Sequence, residues 1–192
     1  MRKRAELRDA ILAAARSEFA RHGLAGARID RVVTEARASR ERLYSHFGDK
    51  ETLFREVVAT DAAHFFTAVV PRPEALAEFV GDIFDLAVMN PEHLRMITWA
   101  RLEGLDLVPA DADVIPTRAA AVVSAAQAAG HVDPAWKPDE LLVILFGIGM
   151  SWATSPDPAL STDDPAIIAA RRAAAVEAAA RVIEPRTGNL SG

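Results

Sequence analysis

Hydrophobic residues recur at helical spacing in the first part of the chain. The apolar positions there are Leu7, Ile11, Leu12, Ala15 and Phe19. This pattern predicts a helix over residues 4–21, with charged residues such as Glu18 on its outward face. The pair His22-Gly23 is expected to end it, because glycine readily adopts the left-handed conformation that follows a helix.

The same periodicity, interrupted by glycine and proline, predicts helices along the whole chain. Ser39 is a good N-cap, because its hydroxyl can accept a hydrogen bond from a backbone N–H that has no partner at the start of a helix. Breaks are expected where proline, glycine and asparagine cluster. The helices expected after the first cover residues 29–36, 40–47, 50–69, 74–89, 91–104, 114–129, 138–155 and 165–183. We predict an all-α fold.

Composition agrees with this fold and excludes several kinds of site. Alanine-rich runs and a low aromatic content, 6% of the chain, favour helix over strand. The chain has no cysteine, which excludes disulfides and thiolate sites. The longest apolar run, residues 141–150, extends at most to residue 153 and is shorter than the roughly 20 residues of a membrane span. We therefore expect a soluble cytoplasmic protein with no membrane partner.

Charge is distributed unevenly along the chain. Residues 1–50 contain 12 Lys or Arg and 7 Asp or Glu, whereas the remaining residues contain 10 and 20. A basic N-terminal part, residues 1–50, and an acidic remainder, residues 51–192, are expected of a protein that approaches nucleic-acid phosphate with only one end. A charged surface that is merely solvated gives the same asymmetry, so this signal needs support from the motifs.

The stretch from Ile29 to Lys50 contains two short helices joined by a tight turn. In the second helix, Leu43 and Phe47 are four residues apart and are expected to face inward. The opposite face then carries long polar side chains of the types that read base edges in the major groove of DNA. Arginine binds guanine, glutamate accepts from cytosine, and tyrosine, histidine and lysine bind phosphates. The alternative is an ordinary helical hairpin with a polar surface.

This part of the chain resembles the N-terminal domain of the tetracycline-repressor (TetR) family of transcriptional regulators. The resemblance rests on an alanine-rich first helix ending at Phe19, on His22-Gly23, on Ser39, and on the run Leu43-Tyr44-Ser45-His46-Phe47 followed by Asp49-Lys50-Glu51. It extends over residues 7–58 without a gap. It implies a three-helix DNA-binding domain with a helix-turn-helix at 1–49, and a helical ligand-binding and dimerisation domain at 50–192.

The resemblance also implies roles for individual residues in DNA binding. Residues 40–42 occupy the positions that reach bases. Tyr44, His46 and Lys50 occupy positions that bind the DNA backbone, and Arg28 matches a position that commonly touches phosphate. The complete set of expected DNA-binding residues is Arg28, Ser39, Arg40, Glu41, Arg42, Tyr44, Ser45, His46 and Lys50.

The sequence departs from the family at three places. Arg37 and Ala38 stand in the turn, where the family usually has glycine and a hydrophobic residue such as valine. A non-glycine residue in a left-handed turn costs about 1 kcal/mol, so the turn is open to reshaping. Glu41 and Arg42 replace the usual Gly and Thr, so the operator of relatives does not transfer. The basic segment 2–4 is either an arm that trails toward DNA or a disordered start.

In the second domain the resemblance implies a homodimer formed by the last two helices. Residues 141–153 are apolar on all sides, and such a helix must be buried. Glycine and alanine in both helices would let a second copy come close, although a buried central helix of a monomer is the alternative. The expected interface residues are Leu142, Leu145, Phe146, Gly149, Ala169, Ala173, Val176 and Ala180. Two copies related by a two-fold axis read a palindromic site.

Large apolar residues of the expected second domain are candidates for a ligand-binding cavity. They are Phe65, Phe84, Met89, Met96, Trp99 and Trp152. Ordinary core packing is the alternative for each of them. No cofactor is expected, and the histidines lack the spacing of a metal site.

These observations favour a ligand-responsive transcriptional regulator, in the first place a repressor. It would bind a double-stranded DNA operator as a homodimer and respond to an unidentified small-molecule effector. The alternative is a helical small-molecule-binding protein of the same fold that has lost specific DNA binding, suggested by Arg37 and Glu41. An enzyme is not expected, because the sequence has no Ser/His/Asp arrangement, phosphate-cradling glycine loop or metal-spaced cluster.

Overall fold

A computed structural model describes residues 4–105 and 114–185. The described residues form nine α-helices and no strand, so the all-α prediction is confirmed. The helices are α1 (Arg4–Gly26), α2 (Ile29–Ala36), α3 (Arg40–Phe47), α4 (Lys50–Ala68), α5 (Leu76–Met89), α6 (Pro91–Leu102), α7 (Val114–Ala128), α8 (Pro138–Met150) and α9 (Pro165–Ile183), with a 3₁₀ helix at Pro158–Leu160. None of these helices is both long and apolar enough to cross a membrane. Arg2 and Lys3 of the expected basic arm lie outside the described residues.

Capping residues and prolines set most helix boundaries where the sequence predicts them. α2 and α9 cover the predicted residues, and Ser39 caps α3 by accepting a hydrogen bond from the backbone N–H of Arg42 at 3.3 Å. Pro91, Pro138 and Pro165 are the first residues of their helices. A proline is tolerated there because its missing N–H would have no partner within the helix.

The end of α8 differs from its prediction. The helix ends at Met150 and not at Ser155, so the predicted end was wrong. The hydroxyl of Ser151 donates to the carbonyl of Gly147 at 3.0 Å, and that of Thr154 donates to the carbonyl of Met150 at 2.9 Å. Side chains that bond to carbonyls of the preceding turn in this way destabilise a helix slightly, and only turns follow here.

The chain divides into two compact units. Of the described residues, 4–65 and 90–105 form the first unit, and 66–89 and 114–185 form the second. The boundary lies within α4, after Phe65, whereas the sequence placed it between residues 49 and 50. Leu53, Phe54 and Val57 account for this difference, because these residues of α4 are buried in the core of the first unit.

A kink in α1 creates the place where α6 packs within the first unit. At Gly23 the backbone has φ 64° and ψ −178°, and helical turns then continue to Gly26 instead of ending as predicted. The carbonyl oxygen of Ala20 accepts hydrogen bonds from Arg95 Nε at 2.6 Å and from Trp99 Nε1 at 3.3 Å. A Cβ atom at position 23 would lie 2.7 Å from the Trp99 ring, so glycine is needed for this contact.

Within the second unit, Arg172 of α9 joins that helix to α5. Its Nε donates to Asp85 Oδ2 at 2.7 Å, and its Nη1 lies 3.3 Å from Glu78 Oε2. The hydrogen bond and charge of Asp85 raise the pKa of Arg172 above its ordinary value. Gly81 leaves room for the guanidinium, since a Cβ there would lie 2.7 Å from Arg172 Cζ. The guanidinium of Arg172 therefore lies between α9 and α5, which pack closely together.

Candidate nucleic-acid interface

The turn between α2 and α3 keeps a left-handed conformation although it lacks glycine. Arg37 has φ 51° and ψ 47°, and is the only non-glycine residue with positive φ among the described residues. The N–H of Arg37 donates to the Thr34 carbonyl at 3.2 Å, and the N–H of Ala38 donates to the Val33 carbonyl at 2.9 Å. These bonds satisfy carbonyls at the end of α2. The turn is therefore retained at the cost of local strain.

Replacing Arg37 by glycine should stabilise the protein. The substitution relieves the left-handed strain of about 1 kcal/mol, partly offset by the greater entropy of glycine in the unfolded chain. We expect a urea midpoint equal to or above that of the unsubstituted protein. The control is Arg21→Gly at an exposed position of α1, which should lower the midpoint because glycine costs about 1 kcal/mol within a helix. Equal destabilisation by both variants would show that Arg37 is not strained.

Buried residues hold α3 by one face. Leu43 is fully buried, and Phe47 is 3% exposed. The guanidinium carbon of Arg8 lies 5.6 Å from the centre of the Phe47 ring, an arrangement that stabilises a cation over an aromatic face. An α-helix with its side chains is about 10–12 Å in diameter, and the major groove of DNA is about 12 Å wide. The anchored helix is therefore of a size that enters the groove.

The residues expected to read bases lie on the surface of α3. Arg40, Glu41 and Arg42 are all exposed. Arg40 is held by a residue of α2, since its Nε donates to Asp30 Oδ1 at 2.5 Å. The hydrogen bond and charge of Asp30 raise the pKa of Arg40 above its ordinary value. One of the three charged groups therefore has a partner within the protein, and all three are accessible.

The residues expected to bind the DNA backbone differ in their surroundings. Tyr44 is 40% exposed, and the half-buried His46 lies with its ring centre 6.0 Å from that of Phe47. Lys50 Nζ donates to the Ala25 carbonyl at 3.2 Å. The hydroxyl of Ser45 donates to a carbonyl of its own helix at 2.9 Å. Tyr44 has the exposure that a phosphate contact needs, whereas Lys50 and Ser45 already bond within the chain.

Glu18 anchors the start of α2, which the sequence did not predict. Its carboxylate accepts hydrogen bonds from the backbone N–H of Arg28 at 2.8 Å and from Arg31 Nη2 at 2.6 Å. The expectation that Glu18 faces outward was wrong, because this residue is only 8% exposed. Its position one turn after buried Ala14 and next to buried Phe19 is the signal that could have indicated this.

The charge of Glu18 is maintained by these partners. Burial raises the pKa of its carboxyl group. The hydrogen bonds from Arg31 and from the Arg28 N–H together outweigh this effect, and the pKa is lowered below the ordinary value of 4.5. The anion therefore persists at neutral pH. It fixes the backbone at Arg28, whose exposed side chain stands at the mouth of α2.

The six residues expected to line a ligand cavity are not gathered within one unit. Phe65, Met96 and Trp99 belong to the first unit, and Phe84, Met89 and Trp152 belong to the second. Met96 is 1% and Phe84 2% exposed, whereas Met89 is 77% exposed. Phe65 stacks on His93 at 5.4 Å, and Phe84 meets Trp152 edge-on at 5.8 Å. These two ring contacts are compatible with ordinary packing, and the assignment of the six residues to a ligand cavity stays a prediction.

Two clefts on the described surface contain none of those six residues. One lies between α1 and α2 and is lined by charged residues that include Arg21, Arg31 and Glu35. The other lies at the start of α5 and includes His131 and Ile183. Within the described ranges, no three His, Asp or Glu side chains are placed to hold a metal ion.

The expected dimer surface on α8 needs correction. Leu145 is fully buried, and a Cβ at Gly149 would lie 2.7 Å from the side chain of Ile83, so both residues pack within their own chain. The exposed face of α8 instead presents Val143, 73% exposed, and Ile144, 37% exposed. Of the other expected residues, Ala169 and Ala173 are exposed, and Leu142, Phe146, Val176 and Ala180 are half-buried.

Family comparisons match both parts of the chain. Residues 11–57 match the family described as bacterial regulatory proteins, tetR family. Residues 75–181 match the tetracyclin repressor-like C-terminal domain. The first match contains α2, α3 and the turn between them, and the second extends from the start of α5 into α9.

Individual relatives give the same picture. The HTH-type transcriptional repressor SCO4008 of Streptomyces coelicolor is 34% identical over 146 residues, which cover 74% of this chain and 76% of the relative. The HTH-type transcriptional repressor NicS of Pseudomonas putida is 33% identical over 102 residues, which cover 50% of this chain and 48% of the relative. The crystal structure of SCO4942 from Streptomyces coelicolor is 38% identical, with a TM-score of 0.81 over 92% of this chain and 97% of that chain.

Proposed function

Because the chain belongs to the TetR family of transcriptional regulators, we propose that it is a ligand-responsive repressor. It binds a palindromic DNA operator as a homodimer through α2 and α3, and a small molecule bound to the second unit releases it. The observation that carries this proposal is the geometry of α3, where buried Leu43 and Phe47 leave residues 40–42 exposed. The protein acts by binding, without catalytic turnover.

In the proposed complex, α3 lies in the major groove with its first residues against base edges. Arg42 donates two hydrogen bonds to a guanine, and Glu41 accepts one from a cytosine amino group. Tyr44 and Arg28 bind phosphates on either side, which sets the docking angle. Lys50 joins them by exchanging the carbonyl of Ala25 for a phosphate oxygen. The exposure of Arg28, Glu41, Arg42 and Tyr44 supports the assignment. The retained turn at Arg37 removes one motive for the alternative without DNA binding.

A second copy of the chain covers the apolar face of α8 and α9. Val143 and Ile144 on α8, and Ile167 on α9, expose apolar side chains, and Ala169 and Ala173 leave space for a close approach. Contiguous exposed apolar patches mark surfaces that other molecules cover, and the proposal places these residues in one such patch. A two-fold axis through this surface relates two recognition helices, which read half-sites about one helical turn apart.

The effector acts by favouring a spacing of the two DNA-binding heads that no longer fits successive major grooves. A difference in affinity of about 1–3 kcal/mol between the two arrangements is typical of such coupling. The match of residues 75–181 to the family's C-terminal domain supports this part of the proposal.

Selection from random duplex DNA, followed by gel-shift titration of the selected site, tests the function. We expect an enriched palindromic motif and an affinity that falls steeply with salt, because arginine and lysine displace counterions from phosphate. Arg42→Ala should weaken binding of the selected site about tenfold or more, since a bidentate arginine–guanine contact contributes about 1–3 kcal/mol.

The control for this experiment is Arg118→Ala, which removes the same charge from an exposed position in the second unit. This variant should bind the selected site as the unsubstituted protein does. If selection yields no motif, the function is instead that of a small-molecule-binding protein of this fold without specific DNA binding. If a motif is selected but the two variants bind it equally, Arg42 does not read a base.

A further inference from the structure

The ion pair between Arg40 and Asp30 joins the two helices of the helix-turn-helix. Arg40 is the first residue of α3, and Asp30 lies in the first turn of α2. Arg40 Nε donates to Asp30 Oδ1 at 2.5 Å, and Nη2 contacts the same oxygen. The side chains are 58% and 66% exposed, so both groups of the pair are accessible from solvent.

The carboxylate occupies one edge of the guanidinium and leaves another available. A guanidinium is planar and presents its N–H groups in a fixed fork. Nε and Nη2 form the side edge, which bonds to Asp30, and Nη1 and Nη2 form the end edge. The end edge still offers two parallel donors. Two parallel donors are what a guanine binds through its O6 and N7 atoms.

Asp30 also limits which DNA groups Arg40 can bind without breaking the ion pair. An unrestrained arginine near DNA binds any phosphate, because that contact requires only charge. Moving Arg40 to a phosphate would leave the Asp30 carboxylate near the negative DNA backbone without its partner. Keeping the pair and placing the end edge against a base avoids this repulsion. An exposed ion pair contributes little to folding stability, so its expected effect is on the choice of DNA sequence.

We propose that Asp30 is a positioning residue that determines specificity: it holds Arg40 so that the end edge of the guanidinium reads a guanine in each half-site. This inference rests on the proposed function. It assigns Asp30 a role in discrimination between bases, which is distinct from the effect of its charge on non-specific affinity.

The test uses the full chain and the DNA motif selected for the unsubstituted protein. Affinity is measured for the motif and for its single base-pair variants, with the unsubstituted protein, Arg40→Ala and Asp30→Ala. We expect one guanine position per half-site at which the unsubstituted protein discriminates about tenfold or more. Arg40→Ala and Asp30→Ala should both lose most of the discrimination at that same position. Asp30→Asn, which keeps an acceptor oxygen but no charge, should lie between.

Non-specific binding separates positioning from a general charge effect. Asp30→Ala should bind unrelated duplex DNA as well as or better than the unsubstituted protein, because it removes a negative charge. The control is Glu35→Ala, which removes an exposed carboxylate from the same helix. Glu35→Ala should have a non-specific affinity similar to that of Asp30→Ala, and it should keep the discrimination at the Arg40-dependent position.

Two results would overturn the inference while leaving the proposed function intact. In one, Asp30→Ala keeps or sharpens the discrimination, which would mean that Asp30 restrains Arg40 from DNA. In the other, Arg40→Ala changes no single position. Absence of any selected motif would contradict the proposed function itself, and the inference with it. Thermal unfolding of each variant, expected to match that of the unsubstituted protein, separates these outcomes from misfolding.

Discussion

Leu43→Ala is expected to abolish specific DNA binding and to destabilise the first unit by about 2–5 kcal/mol. Leu43 is fully buried on the inward face of α3, and its truncation leaves a cavity in the core that holds this helix. An eight-residue helix is too short to be stable without its packing face. The side chains of residues 40–42 would then lose the fixed geometry that base contacts need. Urea unfolding and gel-shift titration with the selected DNA measure the two effects.

Leu102→Ala is the matched control for this prediction. Leu102 belongs to the same unit but is 72% exposed, so the same truncation removes few contacts. We expect a change in unfolding free energy within about 0.5 kcal/mol and unchanged DNA affinity. If Leu43→Ala behaved like this control, α3 would not be held by its buried face, and the proposed reading helix would lose its support.

Val143→Asp is expected to convert the protein to a monomer and to reduce operator affinity by about a hundredfold or more. The proposed dimer places Val143 of one protomer against the same surface of its partner, so the substitution buries a carboxylate from each copy without a counter-charge. A monomer binds one half-site only and loses the gain in effective concentration from linking two heads, which is typically about 10²–10⁴. Sedimentation and gel-shift titration measure the two changes.

The control for the dimer surface is Val70→Asp. Val70 is 58% exposed and lies outside α8 and α9, so it tests the same chemical change on another part of the surface. This variant should remain dimeric and keep its operator affinity. A dimer that persists in Val143→Asp, at the concentrations where the unsubstituted protein is dimeric, would place the interface elsewhere.

Local signals predicted the helices and the outline of the DNA-binding surface. The bounds of α2 and α9, the cap at Ser39 and the inward pair Leu43 and Phe47 are all confirmed. These features depend on residues within one or two helical turns of each other, so periodicity and capping chemistry are sufficient to predict them. The family resemblance extended this reading to regulation of transcription.

The same local signals did not predict which side chains pair between different helices. Glu18 was expected on the surface, yet it is buried because Arg31 and the backbone of Arg28 supply its hydrogen bonds. Arg40 was expected to reach bases, and the sequence did not predict that Asp30 holds it. The choice of partner depends on how two helices cross, and hydrophobic spacing along one helix does not contain that information.

By itself, the sequence determined where the helices lie, which face of α3 is buried, and which charged residues the other face carries, because each of these follows from neighbours along the chain. Only the tertiary structure decided which apolar residues are enclosed by their own chain. Leu145 and Gly149 are enclosed, whereas Val143 is exposed, although all three belong to the same apolar run. The physical reason is that α5 covers one side of α8, and an apolar helix does not show in its own sequence which side a neighbouring helix will cover.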